Sequence, residues 1–217
     1  YARFWHKFLF DQKLVPTPEP FYKLLNQGII LGEDGVKMSK SRGNVINPDD
    51  VIKEYGADTL RMYEMFMGPF SNAKPWSTKG IVGIRRFLEK VWKLGERISQ
   101  KTSADSADST SASSAMQRLL HKTIKKVGED IDAFKFNTAI SALMVLTNEM
   151  MDKGVSQENY EVPLKLLSPF APHITEELWE MLHGEVGANF SLRSSDERGL
   201  KPAATGAYLV QQAWPTY

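Results

Sequence analysis

The stretch Lys37-Met38-Ser39-Lys40-Ser41, which continues into Arg42-Gly43-Asn44, indicates the fold more directly than any other part of the chain. Upstream, residues 28–31 (GIIL) predict a short buried strand. Downstream, Asn47-Pro48-Asp49-Asp50 predicts a helix start, with Asn47 as the cap and Pro48 at the first helical position. The two lysines therefore lie on a loop between a strand and a helix, which is where an open α/β sheet holds its ligands.

The side chains of this loop are suited to a polyphosphate. Lys37 and Lys40 carry point charges on flexible stems, and the hydroxyls of Ser39 and Ser41 can donate hydrogen bonds to phosphate oxygens. A loop that closes over phosphates can stabilise charge that develops only in the transition state. The alternative is a solvated basic loop, but charge, hydroxyls and flanking elements agree on phosphate. The spacing is not that of a P-loop.

This stretch resembles the second signature motif of class I aminoacyl-tRNA synthetases. The motif alone specifies the class, and longer runs resemble the bacterial leucyl-tRNA synthetases over nearly the whole chain. These runs are residues 1–6 (YARFWH), 26–32 (NQGIILG), 56–69 (GADTLRMYEMFMGP), 76–80 (WSTKG), 86–94 (RFLEKVWKL) and 167–179 (LSPFAPHITEELW). The isoleucine, valine and methionine enzymes share parts of these runs, so a sister synthetase is the nearest alternative.

The resemblance implies the C-terminal portion of an enzyme that activates leucine with ATP and Mg²⁺ and then esterifies it to tRNA(Leu). Lys40, and less strongly Lys37, would neutralise the triphosphate as pyrophosphate leaves. Ser39 and Ser41 would contact phosphate, and Met38 would pack the loop against the domain below it. Leucine would bind in the missing first half of the catalytic domain, so the isolated chain is expected to be inactive.

The composition excludes several kinds of site. The formal net charge is only +1, so any RNA contact has to come from local basic faces. The chain has no cysteine and its 4 histidines are scattered, so neither zinc nor another bound metal is predicted. It shows no membrane-spanning run and no signal peptide. We expect a cytoplasmic monomer, and we interpret a chain that begins at Tyr1 within a helical pattern as a piece of a larger protein.

The predicted fold class is mainly α, with the end of a Rossmann-like α/β catalytic domain followed by an all-α bundle of the anticodon-binding type. The predicted divisions are residues 1–46 for the catalytic end, 47–75 for connector helices, 76–183 for the bundle and 184–217 for a polar loop and strand leading to a further domain. Within the bundle, residues 99–114 contain almost only small and polar side chains and are interpreted as a mobile linker.

Three local features give further expectations. Thr17-Pro18-Glu19 is expected to start a helix that Gly28 ends. Asp58 is expected to cap the helix that it precedes. Residues 208–214 alternate weakly between apolar and polar and predict a short strand.

A basic stripe lies on the long helix that is predicted from Ser77. Its members are Arg85, Arg86, Lys90 and Lys93. A solvated face and an RNA-contacting face explain this stripe equally well. By resemblance, leucine enzymes hold tRNA without reading its anticodon, so contacts to phosphate are expected to dominate. For the isolated chain, a non-catalytic tRNA-binding helical module is the alternative from another class.

Overall fold

The computed structural model describes residues 1–104, 114–183, 209 and 212–216. Helices dominate this part of the chain, as the fold class predicted. They are α1 (Ala2–Asp11), α2 (Pro48–Tyr55), α3 (Ala57–Phe66), α4 (Thr78–Ala104), α5 (Ser114–Asp132), α6 (Phe136–Lys153), α7 (Gln157–Leu167) and α8 (Pro172–His183). No helix of the described residues is long and apolar enough to span a bilayer.

The described residues contain a parallel sheet of two short strands. β1 (Ile30–Leu31) pairs with β2 (Lys74–Pro75), so that Ile30 lies opposite Lys74 and Leu31 opposite Pro75. The strand predicted at 28–31 is therefore confirmed, but it is shorter, since it begins at Ile30, and both of its residues are only half-buried. A parallel pair needs a crossover connection, and here the crossover contains the loop with the two lysines (residues 37–44), α2 and α3.

The helix predicted between Thr17 and Gly28 is wrong. The chain from residue 14 to residue 29 contains no helix. The Glu19 carboxylate does not lie in a first helical turn. It forms ion pairs with α1 instead, at 2.7 Å from an Arg3 nitrogen and 3.1 Å from the Lys7 Nζ. These hydrogen bonds, that of Arg3 first, lower the pKa of Glu19 to about 2. The apolar residues that follow stay exposed, and a short helix without tertiary burial is marginal in water.

The core is built around α4, which packs against α3, α6, α7 and α8. Its buried positions include the predicted Ile81, Ile84, Leu88, Val91 and Ile98. Phe87 and Leu94 are also buried, so the apolar face is wider than the predicted stripe. The helix continues to Ala104, into the stretch interpreted as a linker, and residues 105–113 lie outside the described part of the chain.

The prediction that Asp58 caps its own helix is wrong. Asp58 lies inside α3, whose first turn has no side-chain cap. Its carboxylate instead accepts hydrogen bonds from the Ile174 N–H and the His173 Nδ1, both at 2.7 Å, at the start of α8. A carboxylate at a helix N-terminus satisfies an unpaired backbone N–H and favours the positive end of the helix dipole. Asp58 therefore joins the connector to the bundle.

The short strand predicted at 208–214 is not found among the described residues there. Leu209 has a 3-10 conformation and residues 212–216 belong to no regular element. Leu209 is buried, and its N–H donates a hydrogen bond to the Glu176 carboxylate at 2.9 Å. The polar loop predicted at 184–206 lies outside the described residues.

Two glycines of α4 give a matched stability test. A Cβ at Gly95 would lie 2.6 Å from Leu178 Cδ2 and 3.2 Å from the Tyr160 hydroxyl, both in the core, whereas a Cβ at Gly83 would meet nothing within 4 Å. We expect Gly95→Ala to destabilise the full-length protein by about 1–3 kcal/mol through overpacking. Gly83→Ala should be neutral or stabilising by up to about 1 kcal/mol, because alanine is the better helix former.

The measurement is thermal unfolding together with hydrogen exchange in α4 and α8. Equal effects of the two variants would contradict the close contact at Gly95.

Candidate functional site

The lysine loop, residues 37–44, follows a small hairpin formed by residues 31–37. Lys37 forms an antiparallel bridge with Leu31, and the Gly32 N–H donates to the Val36 carbonyl at 2.8 Å. Gly35 closes the turn with a φ of 71°, a left-handed conformation that favours glycine. Lys37 therefore starts from a defined backbone position next to β1.

A clasp of side chains joins the hairpin to the far end of the loop. Asp34 accepts a hydrogen bond from the Val36 N–H at 3.0 Å and a second from the Asn44 amide at 3.1 Å. The side-chain oxygen Oδ1 of Asn44 in turn accepts a hydrogen bond from the Ser39 N–H at 2.9 Å. Gly32 leaves room for the clasp, since a Cβ there would lie 2.6 Å from Asp34 Oδ1 and 2.9 Å from Asn44 Nδ2.

The tip of the loop exposes its charges. Residues Lys40–Arg42 form one 3-10 turn, which Gly43 ends with a φ of 68°. Lys37 and Lys40 are exposed, and in the described part of the chain neither forms an ion pair. Both ammonium groups are thus open to an anion from solvent.

The remaining loop residues complete the site. The hydroxyls of Ser39 and Ser41 are 3.2 Å apart, so the two can hydrogen-bond to each other. Met38 is half-buried and packs against the core, as the sequence predicted for it. The structure brings all five predicted residues onto one loop with a fixed stem and an exposed tip.

Glu33, at the hairpin turn, is a residue that the sequence analysis missed. Its carboxylate accepts hydrogen bonds from the Thr78 hydroxyl at 2.6 Å and the Thr78 N–H at 3.2 Å, at the first residue of α4. These bonds, that of the hydroxyl first, lower the pKa of Glu33. The link is therefore at full strength above the ordinary glutamate pKa and is lost only as the pH falls through the lowered value. Its partner lies 45 residues away, so no local pattern signals it.

The predicted basic face of α4, Arg85, Arg86, Lys90 and Lys93, is exposed. It starts two turns after Thr78, about 10 Å along the helix axis. Arg85 is engaged within the protein, since it forms an ion pair with Glu89 at 3.0 Å and donates to the Tyr55 carbonyl at 3.1 Å. Lys90 donates to the neutral Asn148 side chain at 2.9 Å, so its charge remains uncompensated there.

A cleft of about 620 Å³ lies beside this face, between α3, α4 and α8. Its charged lining mixes Arg85 and Lys93 with acidic side chains. The acidic residues are Asp58, Glu89, Glu96 and Glu177. The mixed lining gives the cleft no clear preference for an anion, so Arg86 and Lys90 are the better candidates for a phosphate contact.

Two of the histidines, His173 and His183, bond to neighbouring protein groups. His173 bonds to Asp58 at the start of α8, and His183 bonds to the Glu161 carboxylate at 3.1 Å and the Trp179 carbonyl at 2.9 Å. Within the residues that the structure describes, no three histidine, aspartate or glutamate side chains converge on a point that could hold a metal ion.

Two family models match the chain. The model of tRNA synthetases class I (I, L, M and V) matches residues 2–77. The model of the anticodon-binding domain of tRNA ligases matches residues 114–217. The first match contains the lysine loop and the second contains the bundle from α5 onward.

Individual relatives agree with these models. The chain is 55% identical over 195 residues, 88% of its length, to a leucine–tRNA ligase of Pelodictyon phaeoclathratiforme. It is 57% identical over 190 residues, 85% of its length, to that of Chlorobaculum tepidum. The chain spans 23% of the length of both curated relatives.

Two solved structures resemble the fold. A leucyl-tRNA synthetase of Agrobacterium radiobacter K84, solved in a ternary complex with tRNA and LeuAMS, is 32% identical with a TM-score of 0.76, over 100% of this chain and 26% of that one. A methionyl-tRNA synthetase of Mycobacterium tuberculosis, in complex with methionyl-adenylate, is 18% identical with a TM-score of 0.61, over 82% of this chain and 40% of that one. At 18% identity the second likeness concerns the fold alone.

The clasp can be tested by one substitution. Asn44→Asp would place a second carboxylate against Asp34, and the two like charges should repel each other. We expect faster hydrogen exchange in residues 37–43 of the full-length protein, with little change in overall stability, because the clasp lies outside the core. Asn26→Asp, the same change at an exposed position before β1, is the control. Unchanged exchange in the loop would mean that the clasp does not hold it.

Proposed function

The chain belongs to the class I tRNA synthetases, and we propose that it is part of a leucine–tRNA ligase, which activates leucine with ATP and transfers it to tRNA(Leu). The observation that carries this proposal is the lysine loop. Its stem is fixed by Asp34 and Asn44, while Lys37 and Lys40 stand exposed without an ionic partner among the described residues. A phosphate-rich substrate is the ligand that this arrangement suits best.

In the activation step, a leucine carboxylate oxygen forms a bond to the α-phosphorus of ATP. The bond between that phosphorus and the oxygen bridging to the β-phosphate breaks, and its electron pair leaves with pyrophosphate. Negative charge therefore grows on the leaving group, and Lys40 and Lys37 would stabilise it there. Ser39 and Ser41 would add hydrogen bonds to phosphate oxygens. Mg²⁺ enters as part of the Mg–ATP substrate.

The amino acid is assigned through the relatives. Leucine–tRNA ligases are 55–57% identical to this chain over 85–88% of its length, and no described residue is assigned to leucine itself. The methionyl enzyme shares the fold only, so nothing favours a sister amino acid.

The second partner in the proposal is tRNA(Leu), held through its phosphates by the basic face of α4. The similar leucyl-tRNA synthetase of Agrobacterium radiobacter K84 was solved with tRNA, which supports a tRNA surface on this chain as well. The proposal keeps the predicted divisions at residues 46, 75 and 183, and the first family match ends at residue 77, next to the start of α4. It also keeps a cytoplasmic monomer as the working form.

Lys40→Ala in the full-length protein should slow leucyl-adenylate formation by about a hundredfold, the usual effect when one transition-state contact is removed. Stability should hardly change, because the Lys40 side chain is exposed. Lys37→Ala should act in the same direction but less, since its backbone is tied to Leu31. The rate is measured in a single turnover with saturating ATP, beside a thermal melt.

The control is Lys53→Ala on α2, which removes the same charge from an exposed position outside the loop. A near-normal rate for Lys40→Ala with ATP bound would overturn the catalytic role of the loop. A large fall in its melting temperature would assign Lys40 a structural role instead.

The tRNA surface is tested by reversing Arg86 and Lys90 to glutamate together. We expect weaker tRNA binding and a smaller dependence of the affinity on salt, with the log–log slope falling by roughly one for each phosphate that is no longer neutralised. Leucyl-adenylate formation without tRNA should stay unchanged. Binding is measured by filter retention across a series of salt concentrations.

Arg118 and Lys122 on α5, reversed in the same way, are the control, because they are exposed and change the net charge equally. If both double variants weaken binding by the same factor, the effect is one of net charge and the α4 face is merely solvated.

A further inference from the structure

We propose that Glu33 is a positioning residue for the lysine loop: it fixes the hairpin that leads into the loop against the first helix of the bundle, and so sets where Lys37 and Lys40 stand. The inference rests on the proposed function, since it concerns the same loop.

The hairpin is attached to the start of α4 at two points. The first is backbone pairing, in which the Trp76 N–H donates to the Leu31 carbonyl at 2.9 Å. One attachment at the base would let the hairpin swing about the strand. The second is the Glu33 carboxylate, which accepts from the Thr78 hydroxyl at 2.6 Å and from the Thr78 N–H at 3.2 Å. Two attachments at different places along the hairpin remove the swing.

The orientation of the hairpin determines the orientation of the lysine loop. Lys37 is paired with Leu31 at the end of the hairpin. Asp34, the residue after Glu33, holds Asn44 at 3.1 Å, and Asn44 holds the Ser39 N–H at 2.9 Å. Both ends of the loop therefore follow the hairpin, and the exposed tip between them is carried along.

Glu33 is not suited to bind the phosphates themselves, because a carboxylate and a triphosphate repel each other unless a cation bridges them. Its charge instead suits Thr78, whose N–H has no partner within the helix because it lies in the first turn, at the positive end of the helix dipole. A charged acceptor makes the stronger hydrogen bond. Because Glu33 is exposed, replacing it should leave the core intact.

The test is a double-mutant cycle of Glu33→Ala and Thr78→Val in the full-length protein, with leucyl-adenylate formation measured over a range of ATP concentrations. Each single variant should slow the rate at saturating ATP on the order of tenfold, as expected when reacting groups are held less accurately. The KM for ATP should change much less. The double variant should be no slower than Glu33→Ala, because Glu33→Ala already removes both hydrogen bonds, including the hydroxyl bond that Thr78→Val removes.

Two conservative changes and one control complete the experiment. Thr78→Ser keeps the hydroxyl and should keep the normal rate. Glu33→Gln keeps one acceptor without the charge and should lie in between. Glu180→Ala removes an exposed carboxylate from α8 and should have no effect.

The inference is overturned if Glu33→Ala reacts at the normal rate, even with a lower melting temperature, since Glu33 would then only stabilise α4. It is also overturned if the two reductions in rate multiply in the double variant. Lys40→Ala in the same assay separates the two proposals. If Lys40→Ala is slow and Glu33→Ala is normal, only the positioning role fails, whereas a normal rate for Lys40→Ala overturns the function of the loop itself.

Discussion

A buried carboxylate joins the two parts of this chain. Asp58, on α3, accepts hydrogen bonds from His173 and Ile174 at the first turn of α8, 115 and 116 residues later. A carboxylate taken from water is costly unless hydrogen bonds replace its hydration, and here the positive end of a helix supplies them. Tyr63, also on α3, bonds to both backbone groups of Ser77 before α4. The position of the bundle thus depends on α3, and α3 is fixed at α8 by Asp58.

A second joint between the two parts is aromatic. It consists of Phe70, Phe134, Phe136 and Phe170, whose neighbouring rings lie 5.5–6.2 Å apart between centroids. Edge-to-face contacts of this kind stabilise by roughly 0.5–1.5 kcal/mol per pair beyond the buried area. The Phe70 carbonyl accepts a hydrogen bond from the Gly28 N–H at 2.8 Å, just before β1. The segment around Phe70 therefore contacts both the bundle and the chain just before β1.

The polar groups of the lysine loop are of two kinds: some bond to one another within the protein, and others are exposed to solvent. Those of the stem are bonded to one another, as in the clasp of Asp34 and Asn44, while the charges of Lys37 and Lys40 are left open. An ordered stem lowers the cost of arranging charges at the moment of reaction. The helix α4 donates hydrogen bonds from Thr78 to Glu33 in the hairpin, and it carries the basic face two turns later. The proposed phosphate site and the proposed tRNA surface therefore both depend on α4.

Local sequence was sufficient wherever a feature depends on neighbours within a few turns. The spacing of Ile81, Ile84 and Leu88 predicted the buried face of α4, and the residues that flank the lysine loop predicted its place between a strand and a helix. The folded chain was needed to find the partners of Asp58 and Glu33, which lie 116 and 45 residues away. It was also needed to show that residues 17–28 form no helix. The physical reason is the same in each case. A short helix needs tertiary burial to be stable, and a carboxylate bonds to whichever donor folding brings close. Neither the burying surface nor the donor is contained in a window of local sequence.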